Sequence, residues 1–270
     1  MSRIIFPTDF SENADKAFEF AVRIAKYYGD ELIVANAYDL PYSQNVMSTS
    51  LIDIMRETSK KGLVKYKERA KKEDLKCQTL SLMGNPIRVV KELTKKFDDC
   101  MVVLGTKGAS GLEEVLIGSN ASSILHTVDV PVFTIPSKAE FKAIKRIVYC
   151  SDFQSTKNER ALTRLANFAK VFSAEVLILH VLTPKSGDHK KYEDQFAKCF
   201  KGVKHSVTIE ESVNVENTIN DLIASQEADM VSLLVRKYGL IEGLFHGRSF
   251  TAKVAYHTEI PFLAVHETKF

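Results

Sequence analysis

Short apolar runs rich in β-branched residues alternate with amphipathic helical stretches along the chain, and the whole alternation is written twice. A run that is apolar at nearly every position reads as a strand buried on both faces, the mark of a parallel sheet covered by helices. Strict β/α alternation then implies a doubly wound sheet with right-handed crossovers. Ligands in such sheets lie beyond the carboxyl ends of the strands, where the strand order reverses. In the first half the predicted strands are residues 3–7, 31–36, 78–83, 100–104 and 132–135. Helices are predicted over about 11–28 and 50–72, from Pro86, and to about 128. Ser11 is placed to cap the first helix, whose apolar stripe is Ala14, Ala17, Phe18, Ala21, Ile24 and Ala25; Gly29 stops it. Gly84-Asn85-Pro86 starts the third helix with proline at its favoured first position.

From Ala143 the pattern begins again. Ile147-Val-Tyr-Cys150-Ser151-Asp152-Phe153 repeats Ile4-Ile-Phe-Pro7-Thr8-Asp9-Phe10, with Asp152 standing 143 residues after Asp9. A helix carrying Ala161, Leu162, Leu165, Ala166 and Ala169 follows, then strands at 176–181, 230–235 and 260–265. Pro261 follows Pro131 by only 130 residues, so the second copy is thirteen residues shorter, mainly between its second and third strands. The short polar join at 136–142 suggests two tandem domains, 1–138 and 143–270, packed on each other.

The stretch around which the first copy is organised is Gly105-Thr106-Lys107-Gly108, then Gly118-Ser119-Asn120, directly after the strand at 100–104. Ser119 reads as a helix N-cap, and the free N–H groups that follow can hold a phosphate with help from the helix dipole. Glycines let main chain and phosphate approach closely, and successive loop N–H groups can form an anion nest. This is neither the P-loop pattern nor the dinucleotide Gly-x-Gly-x-x-Gly pattern. Asp9 ends the first strand, so Asp9 and Gly105 can meet across one crevice if strands one and four are neighbours.

These stretches resemble the universal stress protein family. Pro7-Thr8-Asp9-Phe10-Ser11 matches the family's first strand, and Gly105, Gly108, Gly118 and Ser119 match its ATP-binding motif. Asn85-Pro86 and Val130-Pro131-Val132 fit in order and spacing. The resemblance implies two tandem Rossmann-like domains of the adenine nucleotide alpha hydrolase type, each a five-stranded parallel sheet with helices on both faces. It implies that Pro7, Thr8, Asp9, Ala37 and Leu104 line adenine and ribose, and that Gly105, Gly108, Gly118, Ser119 and Asn120 hold the phosphates, with Thr106 and Lys107 assisting. The expected ligand is ATP, or AMP or ADP in its place, with Mg2+ as the accompanying ion. Asp9 has two readings: an acceptor for ribose hydroxyls or a base, or a cap for the first helix.

The second copy departs at this loop. Val235, Tyr238 and Arg248 stand where Gly105, Gly108 and Gly118 do, with Gly239 and Gly247 one residue away; only Ser249 matches Ser119, and Cys150 replaces Pro7. Its crevice is expected to be empty or altered and the domain mainly structural.

At 270 residues and 45% hydrophobic content the chain can bury two cores. A net charge of +3, with both signs interspersed, argues against a dedicated nucleic-acid surface. The basic stretch 60–76 reads as a solvated helix face alternating with Leu63, Val64 and Tyr66. No apolar run approaches the ~20 residues a membrane span needs. Met1-Ser-Arg enters a strand without a signal peptide, so a cytoplasmic protein with no membrane partner is expected. Cys77, Cys100, Cys150 and Cys199 show no metal or redox spacing and read as reduced thiols. No catalytic base emerges: Glu113 and Glu114 read as solvated, and His126 and His180 as structural.

Three functions follow from these readings. The first is a stress-response sensor or regulator whose N-terminal domain binds nucleotide and hydrolyses it slowly at most. The second is an interaction scaffold that keeps the fold without nucleotide. The third is a redox enzyme centred on Cys150 and His180. In this family last strands often pair between domains, so an internal pseudo-dimer able to pair again as a homodimer is also expected.

Overall fold

The computed structural model describes residues 3–39, 49–97, 99–106, 118–151, 159–182, 190–235 and 259–267. Lys107, Gly108, Glu113, Glu114, Asp152, Tyr238, Gly239, Gly247, Arg248 and Ser249 lie outside them. The chain divides into two compact units, Met1–Ser137 and Lys138–Phe270.

Unit 1 runs β1 (Arg3–Pro7), α1 (Glu12–Tyr28), β2 (Glu31–Tyr38), α2 (Thr49–Lys72), β3 (Cys77–Met83), α3 (Pro86–Lys96), β4 (Cys100–Gly105), α4 (Ser119–Thr127) and β5 (Val132–Ile135). Its strands are parallel in the order β3-β2-β1-β4-β5, so the order reverses between β1 and β4. Right-handed crossovers therefore put α1 and α2 on one face and α3 and α4 on the other. Ile4, Ile5 and Phe6 of β1 and Met101, Val102 and Val103 of β4 are fully buried, as strands covered on both faces must be.

Local chemistry sets the helix ends. Ser11 caps α1 by accepting from the Ala14 N–H at 3.2 Å, and Gly29 closes it in the left-handed conformation at φ 67°. Asn85 caps α3, accepting from Ile87 and Arg88 N–H groups ahead of Pro86. On α2, Ser59, Leu63, Tyr66 and Ala70 are buried, whereas Val64 is 51% exposed, so Val64 belongs to the solvent face and not to the apolar stripe.

Unit 2 repeats the plan: β6 (Arg146–Cys150), α5 (Glu159–Phe172), β7 (Glu175–Leu182), α6 (Lys190–Cys199), β8 (His205–Glu211), α7 (Val215–Ser225), β9 (Met230–Val235) and β10 (Phe262–His266). Its parallel order is β10-β9-β6-β7-β8, which corresponds strand for strand to unit 1. The shortening sits between β7 and β8, where the ten residues of α6 replace the 24 of α2. No described helix is long and apolar enough to cross a membrane.

Candidate functional site

A cavity of about 130 Å³ opens in unit 1 at the carboxyl ends of β1 and β4, the reversal point of the sheet. All the described residues singled out in the sequence line it: Pro7, Thr8, Asp9, Ala37, Leu104, Gly105, Thr106, Gly118, Ser119 and Asn120. Ala14 and Ala35, Pro86, Val89 and Val90 of α3, and Ala121 and Ile124 of α4 complete the wall. These seven carry no polar signature, and nothing in their spacing separates them from ordinary core positions.

The cavity has a polar end and an apolar one. At the polar end the Gly118 N–H donates to the Thr106 carbonyl at 2.6 Å, which clasps the start of α4 to the end of β4. Gly118, not Ser119, is the N-cap of α4, at φ −68° and ψ 159°; Ser119 is the first helical residue. The correction has a consequence. Glycine brings no side-chain acceptor, so among the described residues no side chain caps the first turn of α4, whose N–H groups are the kind of donors that hold an anion. The Thr106 hydroxyl is buried, on a residue only 2% exposed, and has no hydrogen-bond partner among the described residues. A buried hydroxyl without a partner costs about 1–3 kcal/mol, which a ligand oxygen would recover.

Gly105 is glycine for a reason the sequence did not indicate. A Cβ there would meet Asn13 Nδ2 at 2.5 Å, Cγ at 3.0 Å and the Asn13 carbonyl oxygen at 3.1 Å. Its missing side chain lets β4 and α1 approach each other, which is a packing role in addition to any contact with ligand.

Asp9 is held in a turn. Its Oδ1 accepts from the Ser11 N–H at 3.1 Å, and the Phe10 N–H donates to Thr8 Oγ1 at 3.0 Å. The cap of α1 is Ser11, so Asp9 braces the turn while remaining exposed at the cavity. The Thr8 carbonyl is fixed from β2 by Asn36 Nδ2 at 2.8 Å.

In unit 2, His180 does what Asn36 does in unit 1. Its Nδ1 lies 2.8 Å from the Ser151 carbonyl, so Nδ1 carries the proton and donates it. His180 is thus a strap from β7 to the end of β6. Cys150 is buried, and burial pushes its thiol well above the ordinary range; Cys77, half-buried, is pushed up to about 11. A thiol reacts as its thiolate, so iodoacetamide at pH 8 is expected to label Cys150 no faster than Cys77. Mass-spectrometric mapping showing Cys150 labelled first would revive a redox role. Val235 ends β9 buried, at the position corresponding to Gly105.

The sequence model of the universal stress protein family matches residues 1–136. A universal stress protein of Methanocaldococcus jannaschii is 28% identical over 137 residues, spanning 49% of this chain and 81% of the relative. The crystal structure of a universal stress protein from Archaeoglobus fulgidus superposes with a TM-score of 0.80 at 21% identity, covering 99% of this chain and 97% of that one. A universal stress protein structure from Pseudomonas aeruginosa gives a TM-score of 0.63 at 14% identity over 98% of this chain and 93% of that one. At these identities the two structures establish a shared two-unit fold, and the match over residues 1–136 establishes kinship. The chain belongs to the universal stress protein family.

Proposed function

We propose that the unit 1 crevice binds an adenine nucleotide, ATP or its di- or monophosphate with Mg2+ carried on the phosphates, and that the protein acts as a nucleotide-responsive regulator in the stress response. The observation that carries this reading is the unpartnered, buried Thr106 hydroxyl beside the uncapped first turn of α4. Thr106 and the first residues of α4 line one cavity, and a phosphate would supply acceptors for both. The apolar end, with Ala37, Val89, Val90 and Leu104, suits a flat base, and the Asp9 carboxylate can accept from ribose hydroxyls or a base amino group. Unit 2, with Val235 in place of Gly105, serves as structure or as a surface for partners.

Thr106→Val tests this with opposite signs. Removing the orphan hydroxyl should raise the stability of the ligand-free protein by about 1 kcal/mol. It should also weaken ATP binding by about tenfold or more, since a hydrogen bond to a charged group is lost. Calorimetric titration of ligand-free protein with ATP and Mg2+, beside urea denaturation, reads both. Wild-type protein that is folded, ligand-free and gives no binding heat would remove the proposal.

A further inference from the structure

The turn that carries Asp9 is gripped from outside the crevice. Thr8 Oγ1 donates to the Tyr66 hydroxyl at 3.0 Å, and Tyr66, in the middle of α2, is 1% exposed. Phe10, next to Asp9, is held left-handed at φ 65°, which a bulky residue adopts only when its surroundings impose it. Its ring stacks on Tyr66 with centroids 6.2 Å apart and planes 26° apart. The same ring lies over Gly62, one turn earlier on α2, where a Cβ would come within 2.5 Å of it. Tyr66 thus touches both neighbours of Asp9. Beyond it stands Asp15, the acceptor beside the phenol, which is paired in turn with Lys65 and, at 3.4 Å, with Arg69.

The second unit keeps the same aromatic pair with its hydroxyl on the other member. Phe196 of α6 packs on Tyr149 of β6 with centroids 6.3 Å apart, as Tyr66 packs on Phe6 of β1 at 5.8 Å. All four aromatics are buried, and each pair carries one hydroxyl, on the helix residue Tyr66 in unit 1 and on the strand residue Tyr149 in unit 2. Only in unit 1 does the hydroxyl stand on the helix, where it reaches Thr8 of the Asp9 turn. A buried hydroxyl is costlier than phenylalanine unless it is used. Its uses here are to accept from Thr8 and to donate to Asp15.

We propose that Tyr66 is a positioning residue of the unit 1 crevice: through Thr8 and Phe10 it holds the turn that presents Asp9 to the ligand, which makes α2 sensitive to whether the crevice is filled. The proposal rests on the nucleotide reading above. Its test is a double-mutant cycle on the full chain, with ATP affinities from calorimetry for wild type, Tyr66→Phe, Asp9→Ala and the double variant. Tyr66→Phe should weaken ATP three- to tenfold and, because the bonds to Thr8 and Asp15 are lost together, lower the melting temperature by a few degrees. In the Asp9→Ala background the same change should weaken ATP less than about twofold, because the group that Tyr66 positions is gone. Thr8→Val, which deletes the other hydroxyl of the pair, should reproduce the Tyr66→Phe loss if the phenol variant proves unstable. Unchanged affinity in Tyr66→Phe, or an equal loss with and without Asp9, would overturn the assignment while leaving the nucleotide reading intact. Wild type that binds no ATP would remove that reading and this assignment with it.

Discussion

Gly105→Ala is expected to destabilise unit 1 by about 1–3 kcal/mol, the usual cost of forcing a methyl group into a packed site. The new Cβ would sit 2.5 Å from Asn13 Nδ2, closer than side-chain carbons approach other atoms, and 3.1 Å from the Asn13 carbonyl oxygen, a tight contact that needs a shift of a few tenths of an ångström. The side-chain amide can move aside. The carbonyl belongs to the first turn of α1, and moving it means shifting the helix that Ser11 caps. The double variant Asn13→Ala/Gly105→Ala should therefore recover part of the loss, and urea denaturation of the full chain should show both changes in the transition that includes unit 1. Nucleotide affinity should fall with stability, because α1 starts just after the Asp9 turn and β4 ends at Gly105, directly before Thr106. A Gly105→Ala protein as stable as wild type would show that α1 and β4 have slack at this contact.

Asp30→Ala is expected to do the reverse, stabilising unit 1 at neutral pH. Asp30 is 6% exposed, its Oδ2 has no hydrogen-bond partner, and burial, helped by the negative charge of Asp99, raises its pKa from 3.8 to about 6. The folded chain therefore keeps a proton that the unfolded chain has lost between about pH 4 and pH 6. Stability from this group is fully present below about pH 4, declines as pH rises through that window, and is lost above it. A shift of that size corresponds to about 3 kcal/mol at most. Alanine removes the buried charge and its cost.

Unit 2 already makes this substitution. Ala174 follows Ser173 at φ 53° and donates its N–H to Ala169, just as Asp30 follows Gly29 at φ 67° and donates to Ala25. Urea denaturation should give Asp30→Ala an advantage of about 1–3 kcal/mol at pH 7.5 and none at pH 4. An advantage that did not change with pH would mean that the carboxylate is not the cause.

How much of this was legible in the sequence depended on whether the determinant was local. The strands were readable because a parallel strand buried on both faces is apolar throughout, as residues 3–7 and 100–104 are. Gly29 and Asn85 were readable because a left-handed stop and an Asn-Pro start each need only adjacent residues. The cap of α4 was misplaced by one residue because Gly118 and Ser119 are both acceptable caps. What decides between them is a bond from the Gly118 N–H to the carbonyl of Thr106, on the far side of a loop. The packing role of Gly105 depends on Asn13, and the role of Tyr66 on Thr8, contacts that exist only after the chain has folded. Val89, Val90 and Ile124 went unnoticed because an apolar helix face looks the same whether it covers core or ligand. Asp9, Gly105, Gly118 and Ser119 were found through chemistry that the backbone enforces locally, a strand-end carboxylate and glycines and a small polar residue where a strand hands over to a helix, whereas Pro7, Thr8, Ala37 and Leu104 came only from the resemblance to the family.

The central claim is that unit 1 holds a nucleotide whose phosphates lie between Thr106 and the first turn of α4. A crystal structure of the full chain grown with a non-hydrolysable ATP analogue and Mg2+ tests it most directly. The account predicts phosphate oxygens within hydrogen-bond distance of Thr106 Oγ1 and the N–H groups of Ser119 and Asn120, with the base against Val89 and Leu104. An empty unit 1 crevice with the analogue seated in unit 2 would contradict it.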